Sequence, residues 1–228
     1  MSRFSILFLA MILAATFLHG CADQRLPIDI IKKDLRDVPS YSMSLEDMDE
    51  TGTFFKSYYH RYRIVQGERA FTTDWMKVPE DYYQRNENFL GMTLLSKKEG
   101  QYNTSVGPPG YNYVGDEQYG KWQRDSSGNS FWEFYGKYAL LSHLLGGSRV
   151  YRTDYNTYRD YGRQGRPYYG KNKQYGTSGS LTKSQKPNFY SRRAAKVRAS
   201  KTSFSQRVNQ RTGRARSGYG SRSSSGGK

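Results

Sequence analysis

From Ser40 onward apolar and polar residues alternate. Tyr41, Met43 and Leu45 stand between serines, and this two-residue period predicts a half-buried strand. Glu46-Asp47-Met48-Asp49-Glu50-Thr51-Gly52 predicts a polar turn. Thr53 to Val65 is rich in Phe, Tyr and β-branched residues, and Gln66-Gly67 connects it tightly to Arg69–Val78, completing a three-stranded antiparallel meander. Pro79-Glu80-Asp81 carries the start signals of a short helix, a proline followed by acids in the first turn. Leu90 to Lys97 outlines a fourth strand, and residues 100–120, with Gly107-Pro108-Pro109-Gly110, read as loop. Asn129 or Ser130 reads as the cap of a helix from Phe131 to Leu145, ended by Gly146-Gly147. That segment has more apolar side chains than one exposed face requires, so it is expected to pack across the sheet. The resulting expectation is an α+β fold over residues 38–147. It comprises a small antiparallel sheet of three or four strands, packed by one long apolar helix and followed by a disordered basic tail.

The N-terminus follows a different pattern. Behind Arg3, Phe4 to Leu18 is apolar and uncharged. Its 15 residues fall short of the roughly 20 that a membrane-spanning helix needs, and suit the hydrophobic region of a signal peptide. Leu18-His19-Gly20-Cys21 comes next, with Cys21 the only cysteine in the chain. This string resembles the lipobox of bacterial lipoproteins: Leu three residues before the cysteine, a small residue just before it, then Cys. His19 stands where a small residue is usual. The resemblance covers the first tenth of the chain. It implies a signal peptide over residues 1–20, a lipid on the Cys21 thiol and a lipid-anchored tether over residues 21–37. Within that tether Ile28–Leu35, bracketed by Pro27 and Pro39, has helical character. Two or three acyl chains hold a protein stably, since each buried methylene contributes about 0.8 kcal/mol. Among Gram-negative lipoproteins an Asp directly after the cysteine favours inner-membrane retention. Ala22 in that place points to the outer membrane, on its periplasmic face.

Charge changes the picture of the C-terminal third. The chain holds 36 Lys+Arg against 20 Asp+Glu, a net charge of +16. The last acid is Asp160, and from Tyr161 onward there are 17 basic residues and none acidic. The only aliphatic side chains there larger than Ala are Leu181, Val197 and Val208, so residues 148–228 are expected to stay disordered. Two sub-regions carry candidate chemistry. In the first, Tyr151, Tyr155, Tyr158 and Tyr161 interleave with Arg152, Arg159, Arg163 and Arg166. Rings stack on sugars or bases, while guanidinium groups take carboxylates or phosphates in pairs of hydrogen bonds. In the second, Asn188 to Arg211 spaces Phe189, Arg193, Val197, Lys201, Phe204 and Val208 at three- to four-residue steps, a thin amphipathic stripe. Arg192, Arg193, Lys196, Arg198, Arg207, Arg211, Arg214 and Arg216 are its candidate anion contacts, the last two lying just past the stripe.

These features describe a non-enzymatic envelope lipoprotein. On this expectation the anchor reaches the membrane and the tail meets an anionic surface: peptidoglycan, lipopolysaccharide or anionic lipid. The alternative is a nucleic-acid-binding protein using the Arg/Tyr/Gly-rich tail; export argues against it. Other strings add no chemistry. Asp47-Met48-Asp49-Glu50-Thr51 matches the D-x-D-x-T string of haloacid dehalogenase-type phosphatases, but no βαβ pattern follows it. A calcium site on Glu46, Asp47, Asp49 and Glu50 has hard oxygen donors without the EF-hand spacing. Pro108-Pro109-Gly110-Tyr111 matches a WW-domain ligand and reads as a turn, and His60 and His143 have no partner at metal-ligand spacing. No nucleophile elbow, phosphate loop or zinc motif is present, and no cofactor or metal is assigned.

Overall fold

The Tyr-Ser-Met-Ser-Leu alternation begins strand β1 (Tyr41–Thr51) in a computed structural model that describes residues 25–52 and 54–216. β1 pairs antiparallel with β2 (Ser57–Gln66) along one edge and with β5 (Thr93–Lys98) along the other. β2 carries β3 (Arg69–Thr72) and β4 (Met76–Val78), and β5 carries β6 (Gln101–Asn103), which completes a six-stranded sheet. Instead of one half-buried face, β1 is buried on both faces from Tyr41 to Leu45. Its serines tolerate this because they are hydrogen-bonded. Ser44 Oγ lies 3.1 Å from Thr93 Oγ1, and the Tyr113 hydroxyl donates to Ser42 Oγ at 3.3 Å.

The acidic string does not turn; it continues β1 to Thr51. Cross-strand cations make this possible, since opposite charges on neighbouring strands support a ladder. Arg63 reaches Glu46 at 2.9 Å, Arg61 reaches Asp47 at 3.9 Å, and Lys56 reaches Glu50 at 2.7 Å. The connection falls after Gly52 and leaves Phe54 and Phe55 more than nine-tenths exposed. Helices α1 (Pro27–Asp34) and α2 (Glu80–Asn86) form where the prolines and first-turn acids place them. Tyr82 of α2 packs with Tyr58 and Val78, against which Leu26 and Tyr83 also rest.

The expected long helix over Phe131–Leu145 is not formed. Its first part is a strand in a second, three-stranded sheet, β7 (Gly120–Arg124), β8 (Ser130–Phe134) and β9 (Val150–Tyr151). Only a 3-10 turn at Gly136–Tyr138 and the six residues of α3 (Ala139–Leu144) are helical. Asp125 decides this locally. Its carboxylate accepts hydrogen bonds from the Ser127 and Asn129 backbone N–H groups, at 3.0 and 2.8 Å, and closes a hairpin. In β8 Trp132 is then buried opposite Trp122 while Glu133 is exposed, a two-residue period. Leu141 still enters the core, with Val65, Tyr113, Tyr119 and Tyr138.

Nor does the folded part stop at Gly147. The chain divides into two compact units after Gly179. Helix α4 (Arg152–Arg163) follows β9 directly, and Tyr158, Tyr168 and Tyr175 are buried. The Tyr175 hydroxyl donates to Leu145 O at 3.1 Å. Thr177 Oγ1 donates to Glu87 O and accepts from Leu90 N–H at 3.1 Å. Tyrosine rings supply the core here in place of aliphatic side chains. The second unit holds α5 (Ser180–Gln185) and α6 (Pro187–Arg216), so helix also replaces the expected disorder along the basic stripe. Residues 1–20, Cys21 and residues 217–228 lie outside the described residues. No described helix is long and apolar enough to cross a membrane.

Candidate functional site

Helix α4 draws most of the first Tyr/Arg sub-region onto one element, with Tyr151 just ahead of it and Arg166 just past it. Inward, Tyr158 packs edge-on against Tyr111 with ring centroids 5.4 Å apart, and beside Tyr168 at 6.2 Å. A Cβ on Gly107 would lie 2.5 Å from the Tyr158 ring, so the residue read as a turn glycine is what lets that ring seat. Burial, with the Tyr155 hydroxyl beside it, pushes the Tyr158 pKa up to about 12. Tyr158 is therefore a core residue, and the expectation that it stacks on a ligand is corrected. The other three candidate rings are also engaged. Tyr151 lies 6.4 Å from Phe131, Tyr155 lies 5.9 Å from Trp122, and Tyr161 meets Tyr168 edge-on at 5.5 Å.

The arginines lie over these rings. Arg152 sits 4.0 Å above Trp122, Arg159 lies 5.9 Å from the Tyr155 ring, and Arg166 sits 4.6 Å above Tyr161. A guanidinium beside a ring still has N–H groups to offer an anion. Arg163 pairs with Asp160 at 2.9 Å on the exposed face of the helix.

Between α4, the end of β6 and the 3-10 turn at Tyr111–Tyr113 lies an open cleft of about 390 Å³. Arg159 and Arg163 line one side, with Tyr155 and Tyr158 from the same helix. Asn103, Ser105, Tyr111 and Asn112 face them. The loop is held by Asn103, whose Oδ1 accepts the Ser105 N–H at 2.8 Å. The helix approaches closely because position 162 is glycine: a Cβ there would stand 3.1 Å from Ser105 Oγ. Four candidate residues, Tyr155, Tyr158, Arg159 and Arg163, thus meet in one cleft. Asn103, Ser105 and Asn112 had no sequence signal, because they reach it from a segment about fifty residues earlier.

The second sub-region is a single helix. Along α6 stand Arg192, Arg193, Lys196, Arg198, Lys201, Arg207, Arg211, Arg214 and Arg216, with no acid among its thirty residues. Arg192, Lys196 and Arg198 are exposed and Arg193 is half-buried. The side chains of Lys201, Arg207, Arg211, Arg214 and Arg216 lie outside those described.

Elsewhere the chemistry is sparse. Glu46, Asp47 and Glu50 are each paired with a cation across the hairpin. Among the described residues no group of three or more His, Cys, Asp or Glu could hold a metal ion. His60 is fully buried, with its Nδ1 2.9 Å from the Tyr62 hydroxyl and its ring among Tyr62, Tyr82 and Tyr83. No protein-family model matches this chain, and no curated protein or solved structure does either.

Proposed function

We propose that this chain is a non-enzymatic cell-envelope lipoprotein. Acyl chains on Cys21 hold it to the membrane, and its basic C-terminal stretch holds an anionic envelope surface: peptidoglycan, lipopolysaccharide or anionic lipid. The observation that carries this reading is the segregation of charge. Seventeen basic residues and no acid follow Asp160, and thirty residues of that stretch form the acid-free helix α6. A helix with basic side chains and a thin apolar stripe, including exposed Phe204, suits an anionic surface. Near such a surface each Lys or Arg contributes about 1 kcal/mol.

Anchor and charge are separable by salt, because screening weakens charge contacts and leaves buried acyl chains in place. Washed envelopes from the native host should retain the wild-type chain at both low and high salt. Cys21→Ser should stay at low salt and leave at high salt. Cys21→Ser combined with Gln at Arg192, Arg193, Lys196 and Arg198 should leave more readily at low salt too. Retention of Cys21→Ser at high salt would refute the anchor. Retention of the charge-reduced protein at low salt equal to that of Cys21→Ser alone would refute the role of the helix.

A further inference from the structure

The cleft beside α4 is a different surface from the basic helix, and it has a chemistry of its own. We propose that it binds a carboxylate-bearing sugar, with Arg159 as the principal contact of the carboxylate and the loop amides and hydroxyl holding the ring hydroxyls.

Three observations carry this. The first is charge. None of the nine residues lining the cleft is acidic, and two are arginines one helical turn apart, a rise of about 6 Å. Arg163 already shares its charge with Asp160 at 2.9 Å. Arg159 is exposed, forms no ion pair among the described residues, and its guanidinium carbon lies 5.9 Å from the centre of the Tyr155 ring. A guanidinium presents two parallel N–H groups, the geometry that a carboxylate matches.

The second is the opposite wall. Asn103, Ser105 and Asn112 offer amide and hydroxyl groups that both donate and accept, as ring hydroxyls require. Asn103 spends one acceptor on the Ser105 backbone and keeps its amide NH2. The third is the state of the rings. Tyr111 and Tyr158 are packed against each other, and Tyr155 lies against Trp122 and Arg159. No pair of rings stands open to sandwich a nucleobase, which is how single-stranded nucleic acid is usually held. The volume of about 390 Å³ lies within the range of small-ligand sites, roughly 300–1,000 Å³.

The test titrates the full chain, at fixed physiological salt, with four soluble probes read by ligand-observed nuclear magnetic resonance. The probes are glucuronate, glucose, acetate and uridine monophosphate. Glucuronate should bind, with glucose and acetate each about tenfold weaker or worse, since each lacks one half of the recognition. Arg159→Gln should weaken glucuronate about tenfold, and Arg163→Gln should weaken it less. Both side chains are exposed, so these variants should melt as the wild type does. Arg69→Gln, an exposed charge on β3, controls for net charge and should leave binding unchanged. The proposal is overturned if acetate or glucose equals glucuronate, if Arg159→Gln has no effect, or if uridine monophosphate binds more tightly. None of these outcomes depends on the lipid anchor or on α6, so failure here is distinct from failure of the envelope reading.

Discussion

His60 is the side chain whose burial has the clearest consequence for pH. It lies in β2 with no exposed surface, and its Nε2 has no hydrogen-bond partner among the described residues. Burial lowers its pKa from 6.5 to about 4, since a charged imidazole would stand among three tyrosine rings with one N–H unpaired. The unfolded chain therefore takes up a proton near pH 6.5 that the folded chain refuses until about pH 4. Stability is intact above pH 6.5 and is lost as pH falls through that window, by up to about 3 kcal/mol. Urea denaturation of the wild type and of His60→Phe should show this, with the two curves of stability against pH diverging below pH 6.5. Parallel curves would mean that the imidazole reaches water. The sequence placed His60 in an aromatic strand without saying which neighbours enclose it. Two of them, Tyr82 and Tyr83, come from α2, and no local pattern reports that meeting.

Elements were legible where one short pattern decided them. The Tyr41-Met43-Leu45 alternation gave β1, Gln66-Gly67 gave the turn into β3, and Pro79-Glu80-Asp81 gave the start of α2. Two errors share a cause, the treatment of aromatic residues. The bulk of Phe131-Trp132-Glu133-Phe134 suggests a helix, whereas its two-residue period and the turn residues Asp125-Ser126-Ser127-Gly128-Asn129 just before it belong to a hairpin. From Tyr161 onward aliphatic residues are too few to signal a core, and the core beyond Gly147 is built on the rings of Tyr158, Tyr168 and Tyr175. Half of the candidate cleft, on α4, was visible as interleaved Tyr and Arg. The other half was not, because it depends on β6 and its loop returning beside α4. A consequence follows for proteolysis. Arg149, Arg152, Arg159, Arg163, Lys171 and Lys173 all belong to the first unit, although all six are exposed. Limited trypsin treatment should leave a resistant product ending beyond Lys173, with the first cuts in the basic residues of α6. Early cleavage at Arg149 or Arg152, read by mass spectrometry, would return the boundary to the neighbourhood of Gly147.

At the scale of the whole molecule, tyrosine does much of the work that leucine and isoleucine do elsewhere. The chain holds 21 tyrosines, and those buried in the first unit run from Tyr41 and Tyr62 in the large sheet to Tyr175 in the segment that closes it. A ring buries apolar area and leaves one hydroxyl to be satisfied, as Tyr113 does on Ser42 and Tyr175 on Leu145. It also titrates. Burial raises Tyr113, Tyr158, Tyr168 and Tyr175 from 10 to about 12, with neighbouring groups adding smaller effects, and pushes Tyr41, Tyr62 and Tyr111 higher still. The sign is opposite to that of His60. Above pH 10 the unfolded chain releases phenolic protons that the folded chain retains. The stabilisation is therefore complete below pH 10 and is lost as pH rises toward 12. Each tyrosine at about 12 contributes about 3 kcal/mol to that loss, and four together reach about 11 kcal/mol, comparable to the roughly 5–15 kcal/mol by which a typical domain is stable at all. The first unit should thus unfold cooperatively between pH 10 and 12. Tyrosinate absorbance should rise in one steep step that coincides with the loss of near-ultraviolet circular dichroism. A gradual rise centred on pH 10, with the dichroism unchanged, would show that these hydroxyls are open to solvent and that the tyrosine core is not closed.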